Sequence, residues 1–575
     1  MKKLLHLSIF VWIWFSVSTV SAQDETRGSL LYKITGNGLS KPSYLYGTMH
    51  VADRMAFRLP DTFFDAIESV DVVALEINPD SMLSVMLKTF LNPDFEDHSY
   101  GEGGNFYENL SMTESFNEYY FRQLLTSADN ISNDLMFRSS FSGEEYEEST
   151  YLDLFIFQSG KKLKKKISGV EDFAESFRLE MLSYREDMKS RDYYGGRGSN
   201  APSIDEIESA YRRQDIDKID SLSRKSMSES RYKYFIVARN VNQADSLAAL
   251  MRDNSVFCGV GAGHLGGDSG VVNLLRYKGF TVEPVIDKLT KAGESKKAKF
   301  EKLDYTLSYK PFAPADSAFF VSMPGHVYDL SSNENKILYF SPDMVNGGSY
   351  EVIRVRPNEF FSGTTPAELL KLQDSLLFEC VPGNIELRKK ITLPGGIKGI
   401  EVVTESREGN SLRAQLFTTG QEIIIFKVSG LEKYAVSKNA KPFFSSIKFA
   451  PAHSEAIKPY VDANLGIQVA LPENRLIEKN FRQKPVEKST DALKIYAYDK
   501  GGDRRYKVIM ATYNDYLYLE EDTFELRAII NEFFENEYAD DYTVKQTVTK
   551  PFPVAEGYGK SGDLYYFVRA TLNNN

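Results

Sequence analysis

The chain has 575 residues, more than a single hydrophobic core holds, so roughly two to four domains are expected. Hydrophobic residues make up 42% and charged residues 26%, a balance that excludes a disordered chain. A net charge of -11 argues against nucleic acid or an anionic membrane surface as partner, because both require basic faces.

At the N-terminus, Lys2 and Lys3 precede an apolar stretch from Leu4 to Val20 that ends in Val20-Ser21-Ala22. This pattern predicts a secretory signal over residues 1–22, cut after Ala22, and hence a periplasmic or secreted protein. No cysteine stands at the cleavage point, so a lipid anchor is not expected. No later run approaches the ~18 apolar residues of a membrane span. Cys258 and Cys380 fall in different predicted domains and read as two buried free thiols rather than a disulfide. The basic run Lys161–Lys166 reads as a solvated helix end.

From about residue 28 to 287, strand-like and helix-like segments alternate. Tyr44–Tyr46 and the β-branched run Val70–Ile77 read as buried strands, and Pro60–Ser69 between them as a helix. Helices are expected over Ser81–Leu91, Thr113–Leu125 and Tyr151–Gln158, then a short strand at Lys166–Gly169. One long helix is expected over Ser203–Met251. Ser255–Val260, Gly270–Tyr277 and Phe280–Val285 follow as strand, helix and strand. This order predicts an α/β N-terminal domain with a mostly parallel sheet and a helical insertion near Asp94–Glu148.

Residues 288–304 are Lys-rich and read as a linker. Two α+β modules, rich in β, are expected over 305–450 and 451–575. Phe319–Gly325 recurs as Ile467–Glu473, the helix Thr365–Cys380 as Thr523–Asn536, and the strand after Pro394-Gly395-Gly396 near Gly559–Leu572. Each recurrence is offset by about 150 to 160 residues, the mark of an internal repeat. The first copy continues through Gln421–Val428 to Phe443–Ser446, and Asn573–Asn575 come before any equivalent in the second. Either the second module is shorter by nature or the chain is truncated.

Two motifs carry the chemistry. Gly47-Thr48-Met49-His50 and Gly261-Ala262-Gly263-His264 each end an apolar strand, and Glu76 ends a third. In open α/β sheets, sites form beyond the carboxyl ends of the strands, so three strands would deliver His50, His264 and Glu76 to one crevice. Two imidazoles and a carboxylate are a common first shell for a catalytic divalent metal that keeps a position open for water. A single Gly-x-x-His is a weak signal, because a strand-end histidine is commonly a structural hydrogen-bonder. The weight comes from recurrence: of six histidines, His6 lies in the leader, two share the motif, and His98, His326 and His453 carry none.

These segments, in order, resemble the TraB/GumN family, which is related to the Tiki proteases and more distantly to erythromycin-esterase and ChaN-like proteins. The resemblance runs from Gly28 to Val285. It includes Leu30–Ile34, Ser43–His50, Leu59-Pro60, Val72–Glu76, Leu152-Asp153, Lys166–Glu171, Arg239-Asn240, Val260–Leu265 and Gly279-Phe280. Val170 stands where the family commonly has leucine, a conservative departure. The resemblance implies an exported metal-dependent hydrolase acting on a peptide or protein, with Mn, Co or Zn as cofactor. It implies His50 and His264 as metal or catalytic histidines and Glu76 as ligand or general base. Glu171 would bind the metal or orient a histidine, and Arg239 would hold a carboxylate or stabilise developing negative charge. A metal-free esterase and a non-enzymatic haem- or metal-binding envelope protein remain alternatives. The C-terminal modules have no counterpart in the minimal family domain and are expected to bind an envelope component or a protein partner.

Overall fold

The structure is a computed structural model and describes residues 28–84, 148–189, 202–286 and 290–572, apart from short internal stretches. The expected signal segment, the expected insertion near Asp94–Glu148 up to residue 147, and the helix expected over Thr113–Leu125 lie outside the described residues, as does most of the one expected over Ser81–Leu91. Among the described residues no helix is long and apolar enough to cross a membrane. The chain divides into two compact units, one of residues 1–49, 58–76 and 169–294, the other of 50–57, 77–168 and 295–575.

The first unit is built on a mixed sheet. Its strands are β1 (Leu31–Gly36), β2 (Ser43–Thr48), β3 (Val72–Leu75), β5 (Val256–Gly261) and β6 (Phe280–Pro284), and β4 (Lys166–Gly169) ends at its margin. β5 runs parallel to β2 and β3, whereas β1 is antiparallel to both β2 and β6. The sheet is thus mixed, with β2, β3, β5 and β6 running one way and β1 against them. Gly36, Asn37 and Gly38 all have positive φ, so the chain reverses tightly after β1 and returns as an antiparallel neighbour rather than through a crossover helix.

Alternation along the strands gives the sheet two apolar faces. Phe63, on helix α1 (Asp61–Ser69), packs edge-on to Tyr46 and Phe257, with centroids 4.8 and 5.2 Å apart. The opposite face buries Leu45, Ala74 and Cys258 against Ala244, Leu247 and Leu275. Pro60 serves as the cap before α1 rather than as its first residue.

The helix expected over Ser203–Met251 is broken. Helices span Ile204–Arg212 and Ile216–Ser226, then a short turn at Glu229–Arg231 leads into a π-helical stretch, Tyr232–Ala238, and an α-helix, Arg239–Met251. Gln214 at φ 58° stops the first. The Asp215 and Ser228 side chains then accept from the Lys218 and Arg231 amides, capping new starts. Within residues 288–304, read as a linker, Lys291–Glu301 is helical. Its alanine, lysine and glutamate are strong helix formers, and Thr290 Oγ1 accepts from the Ala292 amide at its start.

The second unit is β-rich. Strands β7 (Tyr309–Phe312), β8 (Phe319–Pro324) and β16 (Lys448–Phe449) form a small sheet. β9 (Tyr328–Asp329), β10 (Lys336–Asp343), β11 (Gly348–Val355), β12 (Asn384–Thr392), β13 (Lys398–Glu405), β14 (Ser411–Thr418) and β15 (Ile423–Gly430) form a seven-stranded antiparallel sheet in the order β12-β13-β14-β15-β11-β10-β9. Helix α2 (Pro366–Cys380) covers one face, and Phe319, Phe443 and Tyr434 pack on the other. Every residue of β11 is buried. Beyond it lie the hairpin β17 (Ile457–Asp462) and β18 (Ile467–Pro472), then β19 (Arg475–Lys479), β20 (Ala492–Asp499) and β21 (Arg504–Ala511) as one sheet. Helix α3 (Asp522–Asn536) and the sheet β22 (Asp541–Val548), β23 (Pro553–Ser561) and β24 (Leu564–Thr571) complete the unit. Cys258 and Cys380 are both buried free thiols, and burial pushes the Cys258 thiol up, well away from thiolate.

Candidate active site

Glu76 follows β3 directly, and backbone pairing brings Glu171 beside it: the Glu171 amide donates to the Glu76 carbonyl at 2.7 Å. The two carboxylates then share one guanidinium. Arg239 donates from Nη2 to Glu76 Oε2 at 2.7 Å and from Nε to Glu171 Oε2 at 2.9 Å. All three side chains are buried, and the Phe235 ring lies 4.9 Å from the guanidinium carbon. Glu171 also accepts from Gln243 Nε2 at 2.5 Å and from Ser176 Oγ. Burial, reinforced by the neighbouring Glu76, raises the Glu171 pKa against the pull of Arg239. Burial opposes the charge on Arg239, but Glu76 and Glu171 outweigh it and hold its pKa above the ordinary value.

His264 sits in a 3₁₀ turn, Ala262–His264, immediately after β5, and is 5% exposed. Its Nδ1 lies 2.6 Å from Asn240 Oδ1, while Asn240 Nδ2 donates to the Ser269 carbonyl at 2.8 Å. The carbonyl acceptor fixes which way the amide faces, so Oδ1 meets Nδ1 and selects the Nδ1–H tautomer. Nε2 is then the basic nitrogen. It lies 3.6 Å from Glu76 Oε1, which also accepts from the Gly261 amide at 2.6 Å.

His50 lies two residues beyond β2, and its Nδ1 is 2.8 Å from Asp153 Oδ2. Asp153 is in the first turn of the helix Leu152–Lys162 and is itself buried. Gly47 owes its place in the motif to packing: a Cβ there would meet Leu265 Cδ1 at 2.6 Å. The room that glycine leaves is filled by a leucine.

Of the residues singled out in the sequence, Glu76, Glu171, Arg239 and His264 form one hydrogen-bonded group, and His50 forms a second with Asp153. As ligands, His264 Nε2 and Glu76 Oε1 fit a cation. Two donors about 2.1 Å from one ion in tetrahedral geometry stand roughly 3.4 Å apart, close to the separation seen. Glu171 suits that role less, because its oxygens already accept from Arg239, Gln243 and Ser176. Among the described residues no group of three or more His, Cys, Asp or Glu is gathered as a metal-holding cluster. Asn240, Asp153, Gln243 and Ser176 were not assigned roles from the sequence. Asn240 and Asp153 do stand within its Arg-Asn and Leu-Asp motifs, and that adjacency was the available signal.

Residues 30–284 match the sequence profile of the TraB/PrgY/gumN family. No curated protein matches the chain. Among solved structures, the solution structure of cyanobacterial PsbP (CyanoP) from Synechocystis sp. PCC 6803 is 10% identical, with 25% of this chain and 95% of that one covered and a TM-score of 0.20. A crystal structure from Bacteroides thetaiotaomicron VPI-5482 is 12% identical over 26% of this chain and 52% of that one, with a TM-score of 0.18. Likenesses this slight carry no argument about fold or function. The match covers the strands and helices that carry Glu76, Glu171, Arg239 and His264, so the residues of the candidate site lie within a domain that matches the TraB/PrgY/gumN family.

Proposed function

We propose that the family domain is a metal-dependent hydrolase of peptides, exported by its N-terminal signal, and that the β-rich part, two copies of one α+β module, binds an envelope component or protein partner. The observation that carries the reading is the pinning of both motif histidines through Nδ1, by Asn240 at 2.6 Å and by Asp153 at 2.8 Å. Metal-ligating imidazoles characteristically have the far nitrogen held in this way. His264 Nε2 and Glu76 Oε1 would hold the ion, and the recurrence of the motif assigns His50 to the same chemistry. When bound, a divalent cation such as Mn, Co or Zn would polarise a carbonyl and acidify water to a pKa of about 7.

The remaining roles belong to the chain. The Gly261 amide keeps Glu76 Oε1 aimed toward His264 Nε2, so Glu76 serves as ligand, and the proton of the attacking water passes to solvent. Arg239 pairs with Glu76 Oε2 and offers positive charge to a developing oxyanion. Glu171, Gln243 and Ser176 position Arg239. A second reading draws on Arg239, which occupies Oε2 of Glu76 and both oxygens of Glu171: a metal-free hydrolase with a histidine, His264 or His50, as general base tuned by Glu76.

The deciding experiment combines elemental analysis of the purified chain with peptide-library hydrolysis before and after chelation. Activity lost to the chelator and restored by Mn²⁺, Co²⁺ or Zn²⁺ is expected, together with loss of metal in His264→Ala. Chelator-resistant hydrolysis would sink the metal mechanism in favour of the second reading. Equal metal content in wild type and variant would remove the site.

A further inference from the structure

Arg413 and Gln415 stand two residues apart on β14, so they share one face of the seven-stranded sheet, the face that carries Phe417 and Phe426. Glu401 on β13 lies opposite Gln415, and Lys389 on β12 lies opposite Glu401. The Glu401 carboxylate, 2% exposed, gathers all three neighbours. Arg413 donates to it from Nη2 at 2.7 Å and from Nε at 3.2 Å, Gln415 from Nε2 at 2.5 Å, and Lys389 from Nζ at 2.9 Å. Burial opposes the charge on Glu401, but these bonds outweigh it and hold its pKa below the ordinary value.

After β15 the chain returns over this face as the 3₁₀ turn Tyr434–Val436 and the short helix Lys441–Ser445. A cavity of about 410 Å³ opens there, lined chiefly by Arg413, Gln415, Ser437, Lys438, Lys441 and Phe444, and its volume is that of a small-molecule site. Arg413 is fixed twice, by Glu401 and by the Phe444 ring 4.1 Å from its guanidinium carbon. Among the described residues its Nη1 nevertheless has no partner, and Lys441 pairs with no carboxylate. Lys438 pairs with Asp304 at 2.5 Å, both groups being exposed. The Ser437 hydroxyl accepts from the Asn439 amide at 3.2 Å, which leaves its O–H to donate. Gln415 Oε1 is buried without a hydrogen-bond partner.

We propose that this cavity binds a small organic phosphate monoester, with Arg413 Nη1 and Lys441 on its phosphoryl oxygens and Val436 beside its organic body. Every charge on the lining is positive. Arg413, Lys389, Lys438 and Lys441 bring four cations against the two carboxylates Glu401 and Asp304. A phosphate monoester carries about −1.5 to −2 at pH 7 and matches the two that are left, whereas a carboxylate leaves one uncompensated. A guanidinium stacked on a ring and held along one edge presents its free N–H groups in a fixed direction, the geometry that suits phosphate. Inorganic phosphate alone would leave Val436, 49% exposed, without a neighbour, and a hydroxyl on the organic body would offset the cost of the unpartnered Gln415 oxygen. None of these residues belongs to the group assigned to hydrolysis.

Isothermal titration of the full chain tests it, with glycerol 3-phosphate, glucose 6-phosphate, inorganic phosphate and acetate as probes. At least one ester should saturate a single site, more tightly than inorganic phosphate, and acetate should not saturate it. Lys441→Gln, a change at an exposed residue, should weaken the ester about tenfold with the thermal melt unchanged. Arg413→Gln should weaken it at least as far. If the loss of a Glu401 partner unfolds that variant, Lys441→Gln decides alone. The proposal is overturned if neither ester saturates, if inorganic phosphate or acetate binds as tightly, or if Lys441→Gln binds the ester like wild type. Phosphatidylcholine vesicles carrying phosphatidic acid identify the source of the monoester. Absence of vesicle binding assigns a soluble ligand, and vesicle binding displaced by glycerol 3-phosphate assigns a lipid headgroup, both in support of the site.

Discussion

Arg239 and Arg354 are both buried arginines flanked by two carboxylates, yet their geometries differ. Arg354 donates to Glu422 through Nε at 2.9 Å and Nη2 at 3.0 Å, and to Asp316 through Nη1 at 3.1 Å and Nη2 at 2.7 Å. Each carboxylate there gives both oxygens to the fork, the geometry in which guanidinium and carboxylate fit best. Arg239 receives only Oε2 of Glu76, and Oε1 turns instead to the Gly261 amide and toward His264. The first arrangement spends its charges on each other. The second leaves one carboxylate oxygen aimed at an imidazole, and that difference separates a closed ion cluster from an open one.

The comparison yields a graded set of outcomes. Arg239→Ala and Arg354→Ala should each lower stability by about 3–5 kcal/mol in urea melts, since either leaves buried carboxylates uncompensated. Arg239→Ala should abolish hydrolysis as well. A stable Arg354→Ala protein would show that the closed fork is not structural. Glu76→Gln should cut kcat/KM by about a hundred- to a thousandfold with the fold retained, and Glu422→Gln, made in parallel, should leave turnover of the same peptide unchanged. Equal losses in both would erase the distinction drawn between the clusters. Asn240→Ala should cost about ten- to a hundredfold in metal affinity or activity, read by titrating the purified protein with Zn²⁺.

The smallest effect concerns pH. The Ser255 hydroxyl and amide hold the Asp71 carboxyl down at about 2. A depressed carboxyl contributes stability that is present above about pH 4 and is lost as pH falls toward 2. Asp71→Asn should remove that slope, by well under about 1 kcal/mol because the group faces solvent. An unchanged acid limb in thermal melts would count against the bond.

The strand ends were legible because a buried parallel strand is an apolar run with a clear stop, Glu76 after Val72–Leu75 and Gly261 at the end of Val256–Gly261. The sheet's mixed direction was not, because it turns on the φ of Gly36, Asn37 and Gly38 rather than on apolar pattern. Glu171 and Arg239 came into view only through the family resemblance, since an isolated Glu or Arg has no periodicity to betray it. The parts played by Asn240 and Asp153 stayed hidden for a similar reason. A side chain's partner 24 or 103 positions away leaves no local trace. The breaks in residues 204–251 were written in Asp215 and Ser228, polar caps that a charged helical stretch disguises.

The π-helical stretch Tyr232–Ala238 stands directly before Arg239, Asn240 and Gln243, which reach Glu76, Glu171 and His264 from one helix. A wide turn holds an extra residue, and removing one residue there would rotate everything after it by about 100°. The three polar side chains would leave together. The site thus depends on a count of residues as well as on their identities, and a deletion that touches none of its members would dismantle it.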